Sequence, residues 1–138
     1  NVGEILKKRS KHLNKRSKRM LTVYIASPYT KGDVTKNMSR QFEAADKLMT
    51  LGCCPIAPLY VHFQHIYRPR PYEDWMKIDL EKLARCDVLL RLSGESPGAD
   101  KEVEFAKELG IPVLYSIKEL EKFIKRLIKD FYALFIEV

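Results

Sequence analysis

Two hydrophobic periods alternate along this chain. Leu21 to Ala26 (LTVYIA) is a continuous apolar run rich in β-branched and aromatic residues, which predicts a buried strand. Ser27 to Asp33 reads as a loop. Asp33 or Thr35 then caps a helix whose apolar positions Met38, Phe42, Ala45, Leu48 and Met49 recur at helical spacing, and Gly52 ends it. Cys53 to Ala57 predicts a short second strand bounded by Pro58. Residues 58–72 contain Pro58, Pro69 and Pro71 and predict a long loop. Residues 72–85 carry Trp75, Met76, Leu80, Leu83 and Ala84 at spacings that suit a helix. Asp87 to Leu92 predicts a third strand, Asp100 to Leu109 a helix closed by Gly110, and Ile111 to Tyr115 a fourth strand. Ser116 and Glu119 form a Ser-x-x-Glu capping box that opens the last helix. The stripe Leu120, Phe123, Ile124, Leu127, Ile128, Phe131 and Leu134 on that helix is expected in the core, with a partner interface as the alternative.

Strand and helix thus alternate four times. The pattern predicts an α/β fold, a flavodoxin- or Rossmann-like three-layer sandwich around a parallel sheet. Right-handed crossovers leave few topologies, and the expected strand order is 2-1-3-4. In that order the switch point lies between strands one and three, and ligands bind beyond their carboxyl ends. Those ends are the loops Ser27–Asp33 and Ser93–Ala99, so the two most unusual loops are expected to meet at one crevice.

At 138 residues the chain has the length of one domain. Its formal net charge of +7 is uneven. Residues 1–20 hold eight Lys and Arg (Lys7, Lys8, Arg9, Lys11, Lys15, Arg16, Lys18, Arg19) against Glu4, which accounts for all of it. The other 17 basic and 17 acidic residues balance. The first 20 residues therefore read as a basic extension, with residues 21–138 as the domain and Met20 as its natural start. The extension is either a polyanion-binding arm or a solvated leader, and it lacks the interleaved aromatics that stack on bases. No apolar run is long enough to span a bilayer, and no apolar signal-peptide core opens the chain. Cys53, Cys54 and Cys86 have no paired metal-site spacing and predict reduced thiols in a cytoplasmic protein.

Candidate chemistry concentrates in Asp87 to Ala106 (DVLLRLSGESPGADKEVEFA). A strand, a Gly-bearing loop and a helix N-terminus with a carboxylate at its mouth form a corner that binds small anions. Glu102 borders the Val103–Ala106–Leu109 stripe and is expected to point inward, with the helix N-terminus favouring its charged form. An aimed, ionised carboxylate is what covalent glycosyl chemistry asks of a nucleophile. The alternative is a solvated glutamate beside Glu104 and Glu108. The Tyr24 phenol sits mid-strand and needs a partner, either that carboxylate or a backbone carbonyl. Asp79 taken alone reads as a surface acid, and Asp87 as a cap at the third strand. His62 and His65 lie near Tyr60 and Phe63 without companion metal ligands, and the stretch suits stacking on a planar base. No metal and no organic cofactor is expected, and neither a P-loop nor a G-x-G-x-x-G pattern occurs.

Three blocks carry a likeness. Tyr24-Ile-Ala-Ser-Pro-Tyr29, Asp79-Leu-x-x-Leu-x-x-Cys-Asp87-Val and Ser96-Pro-Gly-Ala-Asp-Lys-Glu102-Val-Glu-Phe-Ala106 resemble, in this order, the signatures of the nucleoside 2-deoxyribosyltransferase-like superfamily. The resemblance covers about residues 21–116. It implies Glu102 as nucleophile, Tyr24 as the residue that holds it, and Asp79 as acid/base or sugar-hydroxyl partner. Six residues before the nucleophile, transferases of the family tend to carry an acid and nucleotide N-glycosidases a serine; here the residue is Ser96. A hydroxyl with loop N–H groups accommodates a phosphate that a carboxylate repels. Ser27 and Gly98 would complete that cradle, with Lys31 replacing an arginine that some members place in the first loop. Pro28, Tyr29 and His62 would line the rest of the substrate site.

The implied activity is hydrolysis of the N-glycosidic bond of a (deoxy)nucleoside 5′-monophosphate, releasing free base. A nucleoside 2-deoxyribosyltransferase and a non-catalytic nucleotide-binding module are the alternatives. The resemblance also implies a small-molecule substrate and a homo-oligomer. Nucleic acid would be engaged only through residues 1–20, and no membrane is implied.

Overall fold

In the computed structural model, residues 2–4 and 20–136 are described. The basic residues Lys7 to Arg19 and the side chain of Leu134 lie outside what it describes. Strand β1 (Thr22–Ala26) leads into helix α1 (Val34–Thr50), β2 (Cys54–Ile56), a 3-10 turn (Pro58–Tyr60), α2 (Val61–Tyr67) and α3 (Tyr72–Leu83). Strand β3 (Val88–Arg91), α4 (Pro97–Glu108), β4 (Val113–Leu114) and α5 (Ile117–Ile136) follow. The strands are parallel in the order β2-β1-β3-β4, as the pattern predicts.

Strand alternation divides the core into two layers. Val23 and Ile25 of β1 and Val88 and Leu90 of β3 pack with Ala44, Ala45 and Leu48 of α1 and Leu120 of α5. Tyr24, Ala26 and Leu89 face the opposite way, against Leu83 of α3 and Ala99, Val103 and Ala106 of α4. The site belongs to this second face. No described helix is long and apolar enough to cross a membrane.

Local chemistry sets the element ends. Asp33 caps α1 by accepting from the Lys36 N–H at 3.0 Å. Asp87 accepts from the Thr22 N–H at 2.8 Å and pins the start of β1 to the start of β3. Ser116 caps Glu119, whose carboxylate accepts in return from the Tyr115 N–H, one residue earlier than in the usual capping box.

Four expectations need correction. The predicted loop at residues 58–72 is mostly the 3-10 turn and α2, because its prolines lie at the ends and Val61–Tyr67 contains no breaker. Helix α4 starts at Pro97, three residues earlier than expected: Ser96 accepts from the Ala99 N–H at 3.1 Å and Pro97 occupies the first helical position. Met49 and Leu109 are exposed at the ends of their helices. The α5 stripe is core only in its first half; Leu120 is buried and Phe123 and Ile124 pack on the core, but Leu127 and Ile128 are exposed.

Two devices, one polar and one steric, shape the crevice. Gln41 is fully buried, donating to the Ile25 carbonyl and Ser27 Oγ and accepting from the Leu59 N–H at 2.9 Å. It ties the end of β1 to the segment after β2. Gly94 has φ +120°, and a Cβ there would lie 2.8 Å from Pro28 Cγ. The first loop thus rests directly on the third. Gly94→Ala adds backbone strain and this clash, and is expected to cost about 1–3 kcal/mol, read as a lowered midpoint in chemical denaturation.

Candidate functional site

Register brings the site together. Tyr24 pairs with Leu89 and Ala26 with Arg91 across β1 and β3, so Tyr24 and Arg91 rise on the same face. Helix α4 crosses that face and presents Glu102 in its second turn. The Tyr24 hydroxyl donates to Glu102 Oε2, so the phenol takes the carboxylate and not a backbone carbonyl. Both residues are buried.

Asp79 of α3 faces the same pair. It is half-buried, not a surface acid, and its Oδ1 is enclosed without a hydrogen-bond partner. Burial is the largest influence on both acids. It lifts the Asp79 carboxyl to about 6 against the opposing pull of Lys82. It lifts Glu102 to about 8, with the nearby Asp79 adding to the rise while the Tyr24 hydrogen bond and Arg91 oppose it. The expected charged form at the helix N-terminus is therefore overruled. Glu102 lies beyond the first turn, where the dipole has faded, and desolvation dominates. Tyr24 is held well above its ordinary value, first by burial and then by the two acids, so its phenol keeps its proton.

The other expected residues fall around this pair. Ser27 is buried, with its hydroxyl accepting from Gln41 at 2.8 Å. Pro28 is the residue that meets Gly94. Tyr29 hydrogen bonds through its hydroxyl to His62 Nδ1, and the two rings meet edge-on at 5.6 Å. Ser96 is the buried cap of α4, and Gly98 lies in the first turn, where a Cβ would come within 3.1 Å of the Tyr72 hydroxyl. Lys31 reaches across to Glu95 at 3.5 Å, so it ion-pairs with the opposite loop. Arg40 also crosses, donating to the carbonyl and hydroxyl of Ser93. The two loops meet as the strand order predicts.

His65 does not join His62. Its Nδ1 accepts from Trp75 Nε1 at 2.8 Å and from the Arg70 N–H at 3.2 Å. Among the described residues no group of three His, Cys, Asp or Glu is placed to hold a metal ion. The three cysteines are unpaired; burial raises the thiols of Cys53 and, to about 11, Cys86.

Sequence reasoning missed Gln41, Tyr72 and Arg91. Gln41 has a signal, because Met38, Gln41, Ala45 and Leu48 share one helical phase and a polar residue there must be buried. Arg91 has one too: it ends the strand in phase with Leu89. Tyr72, whose phenol is raised by burial and then by Glu102 and Asp79, has no signal beyond its place at a helix start.

A family described as a domain of unknown function (DUF7768) matches residues 21–116. No curated protein matches. Among solved structures, one described as a 2-deoxyribosyltransferase from the psychrotolerant bacterium Bacillus psychrosaccharolyticus superposes with a TM-score of 0.50. The two are 22% identical, over 67% of this chain and 69% of that one, and the likeness is one of fold.

The buried acids make stability fall with rising pH. Both have folded values above their ordinary ones, so the unfolded chain releases protons first, and stability is lost from about pH 4 up to about pH 8. Glu102→Gln removes the larger contribution. It is expected to raise stability at pH 8 on the order of 2 kcal/mol and to change little at pH 4, read by denaturant titration at both pH values.

Proposed function

The chain belongs to the DUF7768 family, and from the site that this domain builds we propose that it hydrolyses the N-glycosidic bond of a (deoxy)nucleoside 5′-monophosphate. The observation that carries this reading is the buried Glu102, hydrogen bonded by Tyr24 and facing Asp79 with its unpartnered oxygen. With values near 6 and 8, the two carboxyls hold one proton between them around neutral pH. One proton on two acids is what a nucleophile and a general acid need together.

The steps follow from that count. The shared proton moves to Asp79, leaving Glu102 ionised against the Tyr24 hydroxyl. A Glu102 oxygen bonds to C1′ as the C1′–N bond breaks, its electron pair leaves with the base, and Asp79 delivers the proton to the base nitrogen. Water then attacks C1′. Asp79 takes a proton from it, the hydroxyl stays on the sugar, and Glu102 departs as a carboxylate. Two inversions give net retention. No redox step or organic cofactor is needed. Ser27, Ser96 and Gly98 receive the phosphate, and Pro28, Tyr29 and His62 border the base. Ser27 and Ser96 each accept a hydrogen bond from the protein, and a hydroxyl that accepts still carries a hydrogen to donate.

The fold shared with a 2-deoxyribosyltransferase supports a second outcome of the same chemistry, with a second base in place of water. Incubation with a panel of nucleotides, with and without an added free base, separates the two by chromatography. Base release is expected to follow a bell-shaped pH profile with limbs near 6 and 8. Glu102→Ala is expected to lose at least about a thousandfold in rate. No released base from any nucleotide, or undiminished release by Glu102→Ala, overturns the proposal. Ser96→Asp keeps a good helix cap but adds a charge beside the phosphate. Its preference for nucleotide over nucleoside, measured as a ratio of kcat/KM, is expected to fall by about tenfold or more.

A further inference from the structure

Arg91 does not fit the strand that carries it. Val88, Leu89 and Leu90 are fully buried, and Arg91 continues the run at 8% exposure. It faces the α4 side with Leu89 and Tyr24, where an apolar residue would complete the core. A guanidinium is expensive to bury unless its donors are met. Here they are: it donates to the Leu92 carbonyl, to the Gly94 carbonyl at 2.8 Å and to Asp100 Oδ1 at 3.0 Å.

We propose that Arg91 is the positioning residue of this site, whose guanidinium fixes the turn between β3 and α4 and sets a permanent positive charge on the side of the sheet where Glu102 lies. This rests on the reading of Glu102 as nucleophile. The turn follows from peptide geometry. Each N–H is trans to the carbonyl before it, so holding the Leu92 and Gly94 carbonyls sets the direction of the Ser93 and Glu95 N–H groups. Those are loop donors at the mouth of the crevice. The charge follows from burial. Asp100 is 69% exposed on its side chain and its charge is screened by water, whereas the guanidinium is buried and never deprotonates. Around Glu102 stand Tyr24 from β1, Tyr72 and Asp79 from α3, and Arg91 from β3. Arg91 is the one cation in that set, and it acts against burial and Asp79. Lysine would keep the charge but could not span three acceptors in a fixed fork.

The test is NMR on the full chain without substrate. The Glu102 carboxyl is followed through pH by 13C shift, assigned by its loss in Glu102→Gln, and backbone 15N order parameters are followed at Ser93 and Glu95. Arg91→Met is expected to raise the Glu102 midpoint and to lower both order parameters from the rigid-backbone range, roughly 0.85, to below roughly 0.6. Arg91→Lys is expected to lower the order parameters similarly while leaving the midpoint close to wild type. If Arg91→Met does not fold, Arg91→Gln replaces it, keeping a hydrogen-bond donor but removing the charge, and is likewise expected to raise the midpoint. An unmoved midpoint in whichever of these two neutral variants folds overturns the electrostatic role, and unchanged order parameters in Arg91→Lys overturn the loop role. Neither readout needs turnover, so a protein that releases no base still decides the question for Arg91. Where base is released, the alkaline limb of the profile moves up in Arg91→Met together with the midpoint.

Discussion

A carboxyl group buried over the middle of a parallel sheet has to be kept protonated or partnered, and Glu102 is kept on the boundary between the two. Desolvation pushes its proton affinity up; the Tyr24 hydroxyl and the Arg91 guanidinium push it down. The surrounding architecture follows from holding that balance. Tyr24 needs a full strand of support to aim its phenol, and it has it, in the centre of β1 with β2 and β3 on either side. Helix α4 needs to begin early enough that Glu102 lies one turn inside it, over the apolar face and away from water. Ser96 and Pro97 provide that start.

The crevice above the pair depends on contacts between loops that the sheet alone does not specify. Strand order brings the ends of β1 and β3 side by side, but parallel strands leave their following loops free to diverge. Here Gly94 lets the third loop lie against Pro28, Arg40 grips Ser93, and Lys31 spans to Glu95. The Lys31 pair is exposed on both sides and worth little by itself. The Gly94 contact is steric and does not weaken with salt, so it sets the closest approach of the two loops.

Sheet order and the meeting of the loops were legible because each rests on a periodic or punctuated pattern, whereas Asp79 taken alone reads as a surface acid and was singled out only through the resemblance. Helix α2 was not legible. The three prolines that flank it read as loop signals for the whole stretch, although proline disrupts a helix only from inside it, and Val61 to Tyr67 has none. The ionisation of Glu102 was not legible either. The sequence places a carboxylate near a helix start, and from that alone the dipole favours its charge. Depth over the sheet, which decides the matter, depends on how closely Tyr24, Val103 and Ala106 close around it. Arg91 was overlooked because its neighbours are so apolar that the run reads as uniform, when the exception in phase was the informative residue.

The two acids and Arg91 also explain why this site opposes stability. Each buried carboxyl that resists ionisation takes folding free energy away as the pH rises toward neutral. A chain selected only for stability would place Leu or Met at all three positions, since burial of an apolar side chain is favourable and burial of a charge is not. Asp79 is the sharpest case, with an enclosed oxygen that no group among the described residues satisfies. Such an atom lowers its energy when a donor arrives from outside. A sugar hydroxyl or a protonated base nitrogen supplies one, so the strain of the free protein points toward a ligand that carries a donor at that position. Under the proposed reaction, phosphate recognition at the loops would hold the remainder of that ligand, and the two halves of the site, polar mouth and acid pair, would divide binding and bond cleavage between them.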